Sequence, residues 1–173
     1  LLVVAASGTT YGGLKANGVK LDREQYAEVY AQCEEMAKRL GMATTPDIYV
    51  TNGNGGINAF ASCVPGYRNF INVYSDILER CLANNDMKTL RMILGHELGH
   101  IRLGHVTWWY NFLTFWGNLP WVKYFLGLPL SRSREYGCDQ IGAILSDDHD
   151  ARGLMMLAAG KHLYQNVDLD TYM

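Results

Sequence analysis

The segment HELGHIRLGH, residues 96–105, carries three histidines and one glutamate within ten positions. His96 and His100 are four residues apart, so on a helix their imidazoles lie on one face, with Cβ atoms about 5–6 Å apart. Two imidazole nitrogens at about 2.0–2.1 Å suit one zinc ion. Glu97 lies one residue round the helix, where its carboxylate can reach a water on the metal without occupying the metal. The spacing therefore predicts two zinc ligands and a general base.

A catalytic zinc site needs a third protein ligand and an open position for water. His105 is the nearest candidate, but the metzincin pattern HExxHxxGxxH places glycine and histidine where this chain has Leu103 and Val106. On a continuous helix His105 is five residues beyond His100 and points away from the shared face. We therefore expect His105 to be a helix-end residue favoured by the helix dipole, and not a ligand.

The segment SRSREYGCDQ, residues 131–140, offers a better third ligand. Glu135 and Asp139 are four residues apart and share a helix face. That pairing suits a carboxylate ligand together with an acid that accepts the second N–H of a ligating histidine, which fixes the tautomer. The spacing alone equally allows an exposed charged turn, because Arg132 and Arg134 lie beside Glu135.

The elements that must position these residues follow from hydrophobic periodicity and turn signals. A first helix is predicted over residues 22–40, capped by Asp22 and ended by Gly41. The helix that carries HELGH should begin near Asn85 or Asp86 and reach His105. The other predicted elements are strands at 46–51, 57–64 and 70–75, a short helix at 75–82 capped by Ser75, and helices at 131–145 and 150–164. This order predicts a mostly helical α+β fold with a small antiparallel sheet beside the active-site helix.

Length and composition indicate one globular domain spanning residues 1–173, with 49% apolar and 18% charged residues. The net charge of −2, without a basic face, argues against a nucleic-acid partner. Four scattered cysteines favour free thiols and a reducing compartment, so the cytoplasm or the cytoplasmic face of a membrane is expected. The chain begins without methionine, which suggests a piece of a longer protein. Its N-terminal segment, residues 1–20, opens with LLVVAA, which is either the remainder of a membrane segment or signal, or a strand.

Residues 108–130 hold all four tryptophans and only one charged side chain, that of Lys123. The sequence GNLP at 117–120 interrupts a straight helix, so we predict an aromatic hairpin inserted beside the active site. The hairpin either packs as core or as a lid over the cleft, or presents a surface that contacts a membrane or a hydrophobic partner.

Taken together, the motifs resemble those of the HtpX-like and CAAX-prenyl-protease-like zinc metalloendopeptidases, which are gluzincins. The resemblance rests on HELGH, on SRSREYGCD about 35 residues later, on INAFA at 57–61 and on FINVYSDIL at 70–78. It covers roughly residues 22–145 and implies a zincin-type fold. The chain departs from the family at Cys138, where a small residue such as alanine is usual. The interval between the two motifs is also short, which argues against membrane-spanning helices there.

The resemblance implies a role for each matching residue. His96, His100 and Glu135 would bind one zinc ion per chain, and Glu97 would be the general base. Asp139 would accept a hydrogen bond from a ligating histidine. The implied activity is zinc-dependent endopeptidase action on unfolded or membrane-associated proteins, by Glu-assisted attack of zinc-bound water. The alternative is a non-catalytic zinc-stabilised interaction module, against which Glu97 argues, because a purely structural site needs no base.

The polypeptide substrate would lie extended against the strand at 57–64, with backbone hydrogen bonds giving sequence-tolerant affinity. By the same resemblance, Asn58 and Phe60 would line the substrate cleft. An additional donor could steady the oxyanion of the transition state. The sequence offers three candidates for that donor: His162, Tyr136 and Tyr164.

Overall fold

The computed structural model describes residues 2–64, 66–107, 128–147 and 152–168. In chain order, the elements are α1 (Leu2–Asn17), β1 (Val19–Leu21), α2 (Ala27–Arg39), β2 (Asp47–Thr51), β3 (Ala59–Ser62), β4 (Phe70–Tyr74), α3 (Ser75–Ala83), α4 (Met87–Arg102), α5 (Leu128–Ser146) and α6 (Arg152–Ala159). A short 3₁₀ turn follows at Tyr164–Asn166. The predicted mostly helical α+β class is confirmed.

The four strands form a sheet in the order β1-β2-β4-β3. The outer pairs are antiparallel, but β2 and β4 run parallel, so the prediction of a wholly antiparallel sheet is wrong. The reason lies in the glycine-rich loop after β2, which crosses the end of β4 before the chain turns back as β3. A Cβ at Gly53 would lie 2.7 Å from the Tyr74 ring, so only glycine permits this crossing. β3 is left at the edge of the sheet.

The sheet buries a different core on each face. Alternate residues such as Ile48, Ile71 and Val73 pack with α2, α3 and α4 in the main core. Tyr49 and Phe70 point the other way and pack with Tyr11 of α1. The main core therefore holds α4 against one face of the sheet, with β3 beside it.

The two ends of α4 are each fixed by a local signal. At the start, Asp86 is the N-cap, in agreement with the predicted start near Asn85 or Asp86, and its Oδ1 accepts from the Thr89 N–H at 3.1 Å. At the end the prediction is wrong, since α4 stops at Arg102 and does not reach His105. Gly104 has φ of 76°, its N–H donates to the Ile101 carbonyl, and the His105 N–H donates to the His100 carbonyl. This is a Schellman motif, which ends helices at a glycine in the left-handed region.

Three other predictions of helix boundaries are corrected. α2 begins at Ala27 because Tyr26 has φ of 56°, and Asp22 instead accepts the N–H groups of Glu24 and Gln25 in a turn ahead of the helix. Ser75 is the first residue of α3, and no side chain caps that helix. The predicted helix at 150–164 ends at Ala159, before Gly160 with φ of 93°. Gly41, by contrast, has φ of 65° and ends α2 as predicted.

The two segments with open predictions have different outcomes. LLVVAA lies mostly within α1, so its interpretation as a strand is wrong. The aromatic hairpin at 108–130 lies outside the described residues except for 128–130, which belong to α5. Among the helices of the described ranges, none combines the length and apolarity that crossing a membrane requires.

Candidate metal centre

The site depends on a close approach of α4 and α5, which is permitted by small residues at four-residue spacing on both helices. A Cβ at Gly95 would lie 3.0 Å from Gly142 Cα, and one at Gly99 would lie 3.2 Å from Cys138 Cα. A Cβ at Gly142 would lie 2.8 Å from the Met92 carbonyl oxygen. This packing brings the exposed start of α5 over the buried HELGH face of α4.

Three candidate ligand atoms converge where the two helices meet. His96 Nε2 lies 3.1 Å from His100 Nε2. Glu135 Oε2 lies 3.5 Å from the first nitrogen and 3.6 Å from the second. Ligands at about 2.1 Å from a tetrahedral zinc are separated by about 3.4 Å, so these residues fit one such ion. The Glu135 side chain is 51% exposed, which leaves one side of the cluster open to solvent.

Asp139 fixes the orientation of His96. Its Oδ1 lies 2.8 Å from His96 Nδ1, so Nδ1 donates the hydrogen bond and Nε2 keeps the lone pair that a metal requires. Burial by itself would lower the pKa of His96. The hydrogen bond to Asp139 and the charge of Glu97 outweigh burial and raise that pKa above its ordinary value.

His100 has a different partner from His96. Its Nδ1 lies 3.2 Å from His105 Nδ1, because the Schellman motif turns the chain back at Gly104. The expectation that His105 points away from the site is therefore wrong, since it assumed a helix continuous to residue 105. Burial, followed by the charge of His96, lowers the pKa of His100 to about 4, which keeps its imidazole neutral at physiological pH.

Glu97 lines the same cavity as the three candidate ligands and is only 6% exposed. Burial raises the pKa of its carboxyl to about 7, although the charge of His96 and a hydrogen bond from the Ala61 backbone N–H act in the opposite direction. A carboxyl with a pKa near neutrality can accept a proton and return it at physiological pH. The hydrogen bond from the Ala61 N–H also ties Glu97, the candidate base, to β3.

The site opens into a cleft of about 430 Å³. β3 forms one wall, while Val106, Arg134 and Leu157 contribute to the rest. Phe60 borders this cleft, and its ring packs edge-on against Phe70. Asn58 is exposed just ahead of β3, where its carbonyl accepts the Tyr74 N–H, and it is not among the residues that line the cleft.

None of the three candidate oxyanion donors lines this cleft. Tyr164 is buried, and its hydroxyl donates to Asp86 Oδ2 at 2.8 Å, at the far end of α4. His162 and Tyr136 are exposed. Among the described residues, the cation that lines the cleft is Arg134, which the sequence allowed to be part of an exposed charged turn. In the sequence, the signal for a place of Arg134 in the cleft is its position directly before Glu135.

Comparisons with known proteins agree with this geometry. The chain is 27% identical over 154 residues to the plastoglobule-localized metallopeptidase 48, chloroplastic, of Arabidopsis thaliana. The match covers 82% of this chain and 43% of that protein, so the chain spans less than half the length of its relative. No solved structure matches the chain. The profile of peptidase family M48 matches residues 23–110, just over half of the chain, and this range contains HELGH but ends before Glu135. The chain therefore belongs to peptidase family M48.

Proposed function

We propose that this protein is a zinc-dependent metalloendopeptidase of the HtpX-like and CAAX-prenyl-protease-like type. Membership of family M48 implies metal-dependent peptide hydrolysis. The observation that carries the proposal is the convergence of Glu135 Oε2 with the Nε2 atoms of His96 and His100, in a cavity that the buried Glu97 also lines. These two histidines and Glu135 would hold the zinc ion. When bound, zinc supplies a Lewis acid that polarises the peptide carbonyl and lowers the pKa of water.

Glu97 performs the proton transfers in this proposal. Its carboxylate takes a proton from the attacking water and then delivers it to the nitrogen of the leaving amine. Its raised pKa, about 7, makes both transfers accessible near neutral pH. The Ala61 N–H holds the carboxylate at the floor of the cleft, and Asp139 holds His96 in its ligating tautomer.

The polypeptide substrate would bind in an extended conformation along β3. Within the described sheet this strand pairs only with β4, and it forms one wall of the cleft. Backbone pairing at such an edge gives affinity with little dependence on sequence, which supports unfolded or membrane-associated proteins as substrates. Arg134 is the cation best placed to steady an oxyanion in this cleft. The role of the aromatic hairpin at a membrane surface stays a prediction.

The cellular compartment in the proposal rests on the cysteines. All four are free thiols, and three of them are buried. Free thiols are usual in reducing compartments, which supports the cytoplasm or the cytoplasmic face of a membrane.

The test combines metal analysis with one isosteric variant. The purified chain should contain one zinc ion, cleave casein and lose cleavage when a chelator removes the metal. Glu97→Gln should keep zinc and lose cleavage by about 10²-fold or more, because the proton acceptor is gone. Glu79→Gln, the same change at an exposed position of α3, should cleave like wild type. If Glu97→Gln cleaves casein at the wild-type rate, the mechanism is wrong; zinc without any cleavage would favour the non-catalytic module.

A further inference from the structure

The two candidate zinc-binding histidines are held by different kinds of partner. A ligating histidine almost always donates its second ring N–H to an acceptor, which fixes its tautomer. For His96 that acceptor is Asp139, at 2.8 Å. For His100 the corresponding nitrogen is Nδ1, which lies 3.2 Å from His105 Nδ1.

The position of His105 is fixed by the backbone. The His105 N–H donates to the His100 carbonyl at 2.9 Å, so the two residues are already joined through the Schellman motif. Beyond Gly104, the Thr107 hydroxyl donates to the Gly104 carbonyl at 2.7 Å and closes the turn. The His100 and His105 rings then lie 5.3 Å apart between centroids, at 66°.

The direction of the hydrogen bond between His100 and His105 follows from the role of the second ring nitrogen of His100. Its Nε2 points to His96 and Glu135, so a ligating His100 must carry its proton on Nδ1. His105 Nδ1 must then be the acceptor, with its own proton on Nε2. Cys138 Sγ lies 3.6 Å from the same His105 nitrogen, but that nitrogen has one lone pair. An imidazole N–H is a stronger donor than a thiol and takes that lone pair.

We infer that His105 is a positioning residue of the metal site, which accepts the Nδ1–H of His100 and holds its Nε2 toward the metal. The inference rests on the proposed function, since it requires His100 to be a ligand. His105 thereby does for His100 what Asp139 does for His96, with a neutral acceptor in place of a charged one.

The experiment measures zinc affinity of the full chain by competition with a fluorescent chelator. His105→Leu removes the acceptor and should weaken zinc binding about 10–100-fold. His105→Asn, whose amide oxygen lies near the position of Nδ1, should restore most of that affinity. Cys138→Ala removes the neighbouring thiol and should bind zinc as wild type does, because the thiol is not the partner of His100.

A second measurement does not depend on whether any variant folds. Long-range ¹⁵N–¹H NMR of the zinc-loaded wild-type protein should show His100 protonated at Nδ1, with a slowly exchanging proton. The opposite tautomer would overturn the inference. So would equal zinc affinity in folded His105→Leu and wild type, or a loss in His105→Asn as large as that in His105→Leu.

The remaining outcomes separate this inference from the proposed function. Wild-type protein that binds no zinc would overturn both. Tight zinc binding that is insensitive to residue 105 would overturn only the role of His105. Two zinc ions per chain, one of them lost in Cys138→Ala, would also overturn it, because His100, His105 and Cys138 would then form a metal site of their own.

Discussion

In the metal-free protein, Glu97→Gln should increase stability above neutral pH while it destroys the proposed activity. Burial raises the pKa of the Glu97 carboxyl from 4.5 to about 7 in the folded state. The stability that comes from the protonated carboxyl is therefore fully present below about pH 4.5 and is lost as the pH rises through 7. Glutamine resembles the protonated form at every pH, so the variant avoids this loss.

The size of the effect follows from the shift. The pKa of Glu97 differs by about 2.5 between the folded and the unfolded chain, which corresponds to roughly 3 kcal/mol of unfolding free energy. Roughly 2.5 kcal/mol of this is lost between pH 5 and pH 8. Glu97 is only 6% exposed, so solvent screening reduces this value little.

The assay is urea unfolding of chelator-treated protein at about pH 5 and pH 8. The free energy of unfolding of Glu97→Gln minus that of wild type should increase by roughly 2–3 kcal/mol between the two. Glu79→Gln, an exposed control, should show a difference that does not change with pH. A Glu97→Gln difference that is equal at both pH values would refute the reasoning, because the Glu97 carboxyl would then have the same pKa in the folded and the unfolded chain.

Three further substitutions, one of them a control, test how α5 builds the site. Gly142→Ala places a Cβ 2.8 Å from the Met92 carbonyl oxygen, so α5 must move. Urea unfolding should show a loss of about 1–3 kcal/mol, with weaker zinc binding in the chelator assay. Gly137→Ala on the same helix meets Leu103 only at 3.7 Å and should be neutral or slightly stabilising; equal losses in both variants would contradict the packing argument. Asp139→Ala should lower zinc affinity about 10–100-fold in the same competition assay, and unchanged affinity would show that the bond to His96 is not needed.

The sequence was most informative where one local signal determined the structure. Asp86 and the buried stripe from Leu90 to Ile101 located α4 to within two residues at its start. For the end of α4, the sequence predicts a helix that reaches His105, although Gly104 comes one residue earlier. Only the backbone conformation at Gly104 decides whether His105 points away from His100 or turns back toward it. Local periodicity does not specify that choice.

Long-range pairing was the other limit of the sequence. The glycine-rich sequence after β2 favours a turn, but a turn between adjacent strands and a crossing over the end of β4 look alike in sequence. The order β1-β2-β4-β3 depends on Gly53 passing against Tyr74, a contact between residues 21 positions apart. Spacing alone is likewise equally compatible with Glu135 as the third ligand and with Glu135 in an exposed charged turn, because the partners of Glu135 lie on another helix.

The register between α4 and α5 determines the candidate ligand set as a whole. Glu135 and Asp139 are one helical turn apart on α5, and they reach Nε2 and Nδ1 of the same ring, that of His96. A slip of α5 by one residue would therefore displace both contacts at once. The close approach of Gly142 to the Met92 carbonyl opposes such a slip. So does Arg91, whose Nη2 donates to the carbonyl of Leu145, in the last turn of α5, at 2.6 Å. Gly142 and Leu145 lie seven and ten residues after Glu135, yet their contacts select which carboxylates face the histidines, and this makes the helix–helix contact part of the metal site.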